Sequence, residues 1–73
     1  MAKKPDLQPG EYGIKVCYYA TKGWRYWWVG EKFSSIEDAE EYIDEYGIGF
    51  NTPNCASVFI MDWNGKDVGG FYL

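Results

Sequence analysis

The chain opens with ten residues of low apolar content, and apolar and polar positions alternate after them. Over residues 11–20 every second side chain suits a core, namely Tyr12, Ile14, Val16 and Tyr18. A repeat of two residues is that of a strand with one buried face. Residues 24–33 are rich in aromatic side chains and predict a second strand. With Lys22-Gly23 as a two-residue hairpin loop, the register pairs Tyr19 with Tyr26, Cys17 with Trp28, Val16 with Val29, and Tyr12 with Phe33.

A helical repeat replaces the alternation between residues 34 and 47. Its apolar arc consists of Ile36, Ala39, Tyr42, Ile43 and Tyr46. Ser35 or Ser34 is suited to the N-cap, and Gly47 is suited to the left-handed residue that ends a helix. The pattern predicts one amphipathic helix whose stripe of Ile36, Ala39, Ile43 and Tyr46 covers a sheet.

Two more strands are predicted over residues 55–63 and 66–73. Asn64-Gly65 between them is a signal for a type I′ hairpin turn, which pairs Met61 with Val68. Gly69-Gly70 indicates a bulge or a close approach of two backbones. The order ββαββ predicts an α+β fold, a four-stranded antiparallel sheet with one amphipathic helix packed on one face. The strand orders 2-1-3-4 and 1-2-4-3 both keep every neighbouring pair antiparallel, and we favour the first.

The length of 73 residues predicts one domain. We interpret residues 1–10, which hold two of the three prolines, as an extended N-terminal arm, and residues 11–73 as a single ββαββ domain. The start of the chain lacks the apolar run of a signal peptide, and we expect no membrane segment and a cytoplasmic location. Cys17 and Cys55 are too few for a disulfide framework, so we predict free thiols in a reducing compartment.

The charged residues narrow the possible chemistry. Eleven acids against seven bases give a net charge of −4, which disfavours a general nucleic-acid binder and favours a basic protein partner. The sequence has no His, the commonest general base and metal ligand. No nucleophile is spaced with a base. We therefore expect no catalytic residue, no metal and no cofactor.

The polar side of the predicted helix is entirely acidic and is the first candidate site. Its members are Glu37, Asp38, Glu40, Glu41, Asp44 and Glu45. No Lys or Arg occurs between Phe33 and Gly65, and the last two of these acids fall where the helix dipole favours cations. This face is either an ordinary solvated surface or a surface that occupies a basic groove of a partner protein.

The sheet face that the helix leaves uncovered is the second candidate site. It carries Tyr19, Trp24, Tyr26, Trp28, Phe59, Met61, Trp63 and Tyr72. An open antiparallel face ordinarily carries polar side chains, and an exposed apolar patch marks an interface. The alternatives are a homodimer seam, a stacking surface for carbohydrate or single-stranded nucleic acid, and a face covered by the N-terminal arm.

The small size, the acidity and the lack of a catalytic motif resemble those of small phage-encoded inhibitors such as anti-CRISPR proteins. The resemblance covers composition alone and assigns a role to no residue. The unpaired acidic charge and the excess of aromatic residues predict a small acidic, non-catalytic protein-interaction module that blocks a basic, nucleic-acid-binding surface of a larger protein. The resemblance implies that this module is an anti-CRISPR-like or other anti-defence inhibitor from a phage or mobile element. The alternative is a homodimeric structural or ligand-binding protein that uses the aromatic face.

Overall fold

A computed structural model describes residues 4–73, which form four strands and one helix. The elements are β1 Gly13–Ala20, β2 Gly23–Trp28, α1 Ile36–Tyr46, β3 Cys55–Met61 and β4 Asp67–Tyr72. Neighbouring strands are antiparallel in the order β2-β1-β3-β4. The predicted α+β fold of ββαββ order and the favoured strand order are confirmed. Of the predicted N-terminal arm, residues 1–3 lie outside the described residues.

Both ends of α1 are those that the sequence predicts. Ser35 is the N-cap, and its Oγ accepts a hydrogen bond from the Asp38 amide at 3.0 Å. Gly47 ends the helix in the left-handed conformation with φ 60°, and its amide donates to the carbonyl of Ile43. These bonds satisfy backbone groups that lack partners inside the helix.

The core lies between α1 and one face of the sheet. Its buried members are Ile14, Val16, Val29, Phe33, Ala39, Ile43, Val58 and Ile60. The helix packs over β3 and β4. The prediction that Tyr46 covers the sheet is wrong. This residue is 56% exposed and packs on the ring of Tyr42, with 4.5 Å between the ring centroids. Tyr42 instead contacts the core, with its ring 5.0 Å from that of Phe33.

The register of the β1–β2 hairpin differs from the predicted one by two residues. Ala20 pairs with Gly23, so the loop is Thr21-Lys22 and not Lys22-Gly23. Gly23 takes a φ of +119°, which glycine adopts without strain, inside the strand. The pairs on the open face are therefore Tyr19 with Trp24, Cys17 with Tyr26, and Lys15 with Trp28. A shift of two residues leaves every side chain on its predicted face, since the strand repeat is two.

The far end of the same hairpin has the predicted pairing. Tyr12 and Phe33 form an isolated bridge, with backbone hydrogen bonds of 2.8 and 2.9 Å in the two directions. The Val29 amide donates to the Ile14 carbonyl in the shifted register. Residues 30–32 absorb the difference between the two registers.

The predicted type I′ turn between β3 and β4 is wrong. The backbone carbonyl of Asp62 accepts a hydrogen bond from the Gly65 amide at 3.1 Å. The Asp62 amide donates to the Lys66 carbonyl at 2.9 Å. The loop is thus the three residues 63–65, with Gly65 at φ +78°, whereas a type I′ turn requires positive φ at Asn64 as well. The buried Asp62 carboxylate accepts bonds from the amides of Asn64 and Lys66 at 2.9 and 2.8 Å. This side chain favours the observed turn.

Strand β4 contains the irregularity that its two glycines indicate. The register shifts beside Met61, which pairs with Asp67 and not with Val68 as predicted. Gly70 has a φ of +117°, and a Cβ built on it would collide with the carbonyl oxygen of Val58. The predicted close approach of two backbones is present at this residue.

Candidate functional site

The acidic face of α1 is fully displayed to solvent. All six predicted carboxylates are exposed, and they are distributed over a helix about 16 Å long at 1.5 Å per residue. Asp38 accepts a bond from the Ser34 hydroxyl at 3.0 Å. Within residues 4–73 the one ion pair joins Lys32 and Glu11, at 3.9 Å, so none of the helix carboxylates is neutralised by a described cation.

One side of this face borders a groove with an aromatic floor. Phe33 and Tyr42 form the floor, and their rings meet edge to face with centroids 5.0 Å apart. Asp38, Glu41 and Glu45 form the rim of the groove, whose volume is about 310 Å³. We call this the acidic groove. The spacing of three and four residues along α1 places these three carboxylates on one side of the helix.

The surroundings of Tyr42 in the acidic groove disfavour ionisation of its phenol. Its pKa is raised above the ordinary value for a phenol, first because the ring is desolvated by its neighbours and next because the carboxylate of Glu31 is near, with Tyr46 adding to the effect. Like charges and burial both disfavour the phenolate. The floor therefore presents uncharged aromatic rings inside a negative rim. The sequence analysis assigned Phe33 to the second strand and Tyr42 to the apolar arc of the helix, and it assigned neither residue to a site.

A second groove follows the other side of the acidic face. Glu40 and Asp44 flank it, and Ile43, Phe50 and Phe71 contribute its apolar surface, with a volume of about 280 Å³. The rings of Phe50 and Phe71 stack at 5.9 Å between centroids and 21° between planes. Of the six predicted acids, three therefore line the acidic groove, two line the second groove, and Glu37 lines neither.

The open sheet face holds most of the predicted aromatic set, in separate pairs. Tyr19 and Trp24 meet edge to face at 5.3 Å between centroids, and Phe59 and Tyr72 do so at 5.7 Å. Tyr26 is exposed, and Met61 is half-buried on the same face beside Gly13.

Two predicted members are not available on this face. Trp63 lies in the loop that follows β3, where its ring packs 5.8 Å from that of Tyr12, which contacts the core on the opposite side of the sheet. Trp28 is on the open face but only 8% exposed. The low exposure of Trp28 agrees with one of the alternatives for this face, namely cover by the N-terminal arm.

The N-terminal arm covers the end of the open face near Trp28. A Cβ on the buried Gly13 would lie 3.4 Å from Leu7 Cδ1, and 3.5 Å from both Pro5 Cγ and Trp28 Cζ3. The Lys4 Nζ lies 5.6 Å from the centroid of the Trp28 ring. A turn holds the arm in place, because the Glu11 amide donates to the Gln8 carbonyl and the Gln8 amide donates to Glu11 Oε1, at 2.9 and 2.7 Å.

The rest of the open face forms a groove of about 370 Å³, which we call the sheet groove. Its base is made of the small side chains Cys17, Ala56 and Ser57, and its walls are Trp24, Tyr26 and Tyr72. Lys15 and Arg25 complete the lining. The Nζ of Lys15 lies 4.5 Å from the centroid of Tyr26 and 5.9 Å from that of Trp28.

The two thiols are separate, as predicted. Cys17 and Cys55 are both free and half-buried. Cys17 lines the sheet groove, whereas Cys55 packs against the core on the other side of the sheet. Among the described residues, no three Cys, Asp or Glu side chains are arranged to hold a metal ion. The one helix of this part of the chain is too short and too polar to cross a membrane.

Comparison with known proteins finds no match to this chain among protein-family models, curated proteins or solved structures.

Proposed function

We propose that this protein is a small acidic, non-catalytic interaction module that binds a basic surface of a larger protein through α1. The observation that carries the proposal is the acidic groove, which Asp38, Glu41 and Glu45 line together with the rings of Phe33 and Tyr42. A site with carboxylates at its rim and the half-buried ring of Tyr42 at its floor is complementary to the side chain of Arg or Lys.

The complementarity has two parts. A guanidinium or ammonium group over an aromatic face gains about 0.5–2 kcal/mol, depending on how far it is desolvated. Carboxylates within reach accept charge-assisted hydrogen bonds, and Arg does so in a bidentate geometry. A single exposed ion pair contributes only about 0–1 kcal/mol. Affinity therefore depends on the groove and on the number of carboxylates that are engaged at once.

The class of partner follows from the length of the acidic row. The row from Glu37 to Glu45 rises by about 12 Å, and several basic side chains spread over such a length are typical of protein surfaces that bind the phosphates of nucleic acid. A protein that occupies such a surface blocks it. The proposed role is that of an anti-defence inhibitor, anti-CRISPR-like or of another kind, from a phage or mobile element, and it is supported by the composition and by the unneutralised acidic face.

The test compares two charge reversals of equal size. Glu41→Lys with Glu45→Lys alters the rim of the acidic groove, and Asp6→Lys with Asp67→Lys alters two exposed carboxylates outside α1. Wild type and both variants are immobilised and used to capture proteins from a bacterial host lysate. Each captured protein is then assayed for nucleic-acid binding with and without added wild type.

We expect wild type and the outer variant to capture the same nucleic-acid-binding protein, and the rim variant to lose it. Added wild type should also displace nucleic acid from that protein. Capture that is unchanged in the rim variant, or a captured protein whose nucleic-acid binding is unaffected, would refute the proposal. The helix dipole favours Lys at position 45, in the last turn of α1, and circular dichroism checks that the rim variant is folded.

A further inference from the structure

The sheet groove has the opposite charge from α1. Its lining includes the cation Lys15, whose side chain is on the open face, and no carboxylate, in a chain that has eleven acids and seven bases. The six carboxylates of α1 lie on the other side of the sheet, because α1 packs on the covered face. The fold thus separates a negative surface from a smaller positive one.

Lys15 supplies a positive charge that no described acid neutralises. The side chain is half-buried at the centre of the open face, and the rings of Tyr26 and Trp28 hold its ammonium group. The one ion pair among residues 4–73 involves Lys32 and not Lys15. A ligand in the sheet groove therefore meets a positioned cation, and an anionic group is its natural counterpart.

The walls of the sheet groove are exposed aromatic rings. Tyr26, Cys17, Ser57 and Tyr72 form one row across the four strands, in that order. Three strand spacings separate the two tyrosine backbones by about 14 Å. The small Cys17 and Ser57 leave the space between them open. Tyr26 is 55% exposed and Tyr72 is 79% exposed, so both rings are free to stack on a planar ligand.

We propose that the sheet groove binds a nucleotide unit of a single-stranded nucleic acid. The base stacks on the aromatic walls, and the phosphate contacts Lys15. Stacking platforms combined with cations are how proteins bind single strands without strong sequence preference. A neutral sugar would leave Lys15 without a counter-charge, and the lining has neither a carboxylate nor an amide side chain to bind sugar hydroxyls.

The net charge of −4 disfavours a polyanion only at long range. The Debye length at physiological ionic strength is about 8 Å. The carboxylates of α1 are on the far side of a molecule whose Cα extents are 35 × 22 × 19 Å. Salt therefore screens their repulsion from the sheet groove, while a phosphate in the groove is next to Lys15.

The experiment measures the fluorescence anisotropy of a labelled short oligothymidylate titrated with the full chain, with UMP and neutral uridine as competitors. Tyr26→Ala should weaken binding by about tenfold, the usual loss for one stacked base. Lys15→Gln should weaken binding and reduce its salt dependence. The matched control is Tyr46→Ala, which removes a ring of equal exposure, 56%, from α1 and should leave binding unchanged. Circular dichroism shows that each variant is folded, and Tyr72→Ala replaces Tyr26→Ala if the latter is not.

The proposal would be overturned if the oligonucleotide did not bind at millimolar protein, or if Tyr26→Ala and Lys15→Gln left its binding unchanged. It would also be overturned if uridine competed as well as UMP. Binding of UMP without binding of the oligonucleotide would overturn the choice of a single strand. The site does not depend on the acidic groove. The rim variant Glu41→Lys with Glu45→Lys should therefore keep its affinity for the oligonucleotide, so that the two proposals fail separately.

Discussion

The ammonium group of Lys15 lies 4.5 Å from the centroid of the Tyr26 ring and thereby joins β1 to β2 on the open face of the sheet. Trp28, two residues further along β2, approaches the same group to 5.9 Å. A cation over an aromatic face contributes about 0.5–1 kcal/mol when it is partly exposed.

We predict that Lys15→Gln lowers the free energy of unfolding by about 1 kcal/mol. The reason is the loss of the charge that both rings attract. Urea denaturation measures the effect, with Lys22→Gln in the exposed β1–β2 loop as the control. Equal stability of the two variants would show that the rings do not hold the ammonium group in solution.

We expect a methyl group added at Gly70 to lower the free energy of unfolding more than one added at any other described glycine. Its φ of +117° is unfavourable for any other L-residue, and an added Cβ would collide with the Val58 carbonyl in β3. We expect Gly70→Ala to cost at least about 2 kcal/mol, since backbone strain alone costs about 1–3 kcal/mol. Gly30→Ala is the control, because a Cβ there has nothing within 4 Å. A thermal midpoint of Gly70→Ala equal to that of Gly30→Ala would contradict the described path of β4.

The helix dipole predicts opposite effects for the same substitution at the two ends of α1. Asp44 is in the last turn, which has no basic residue, and Asp38 is in the first turn. Asp44→Lys should raise the free energy of unfolding by about 0.3–1 kcal/mol, and Asp38→Lys should lower it by a similar amount. Asp38→Lys also removes the acceptor of the Ser34 hydroxyl. Chemical denaturation at low salt compares the two variants, and shifts of the same sign would exclude the dipole as the cause.

Two half-buried groups make stability depend on alkaline pH. Burial raises the pKa of Cys55 above the ordinary 9.0, with a contribution from Cys17, and burial followed by Glu31 and Tyr46 raises the pKa of Tyr42 above 10.0. The folded chain holds both protons more tightly than the unfolded chain. This stabilisation is complete below the unfolded pKa values and is lost as pH rises through the folded ones. The urea midpoint should therefore fall above pH 9.0, and Cys55→Ser should make the first part of that fall shallower. A midpoint that rises over this range would contradict the direction of both shifts.

Local signals predicted the helix and the strand faces. The bonds at Ser35 and Gly47 involve neighbours within five residues, so the sequence contains all that they need. The side-chain faces of β1 follow from a repeat of two and survive an error of two in register. The register itself was wrong near Gly23, because we placed this glycine in the hairpin loop, whereas it is the first residue of β2 and takes its positive φ there.

The candidate sites were less predictable, since they depend on contacts between distant segments. Pro5 and Leu7 of the arm pack at Gly13, next to the ring of Trp28, and no periodicity in residues 4–10 indicates this packing. The acidic groove depends on the packing of Phe33, which precedes α1, against Tyr42 in the middle of α1. Lys15 was visible on the open face from the strand repeat, but its two aromatic neighbours depend on the observed register. The predicted homodimer through the open face stays a prediction, which light scattering of the protein in solution tests.

The pairing of β1 with β3 has a consequence for how this chain folds. Each hairpin is local, but an isolated hairpin is at best marginally stable in water. The two central strands come from opposite halves of the sequence, so the sheet is complete only after the segment that contains α1 has closed as a loop. Neither half gains its core before that closure, and its entropic cost precedes the contacts that offset it. We expect the two halves to fold and unfold together, so that a lesion in one hairpin is transmitted to the binding surfaces built on the other.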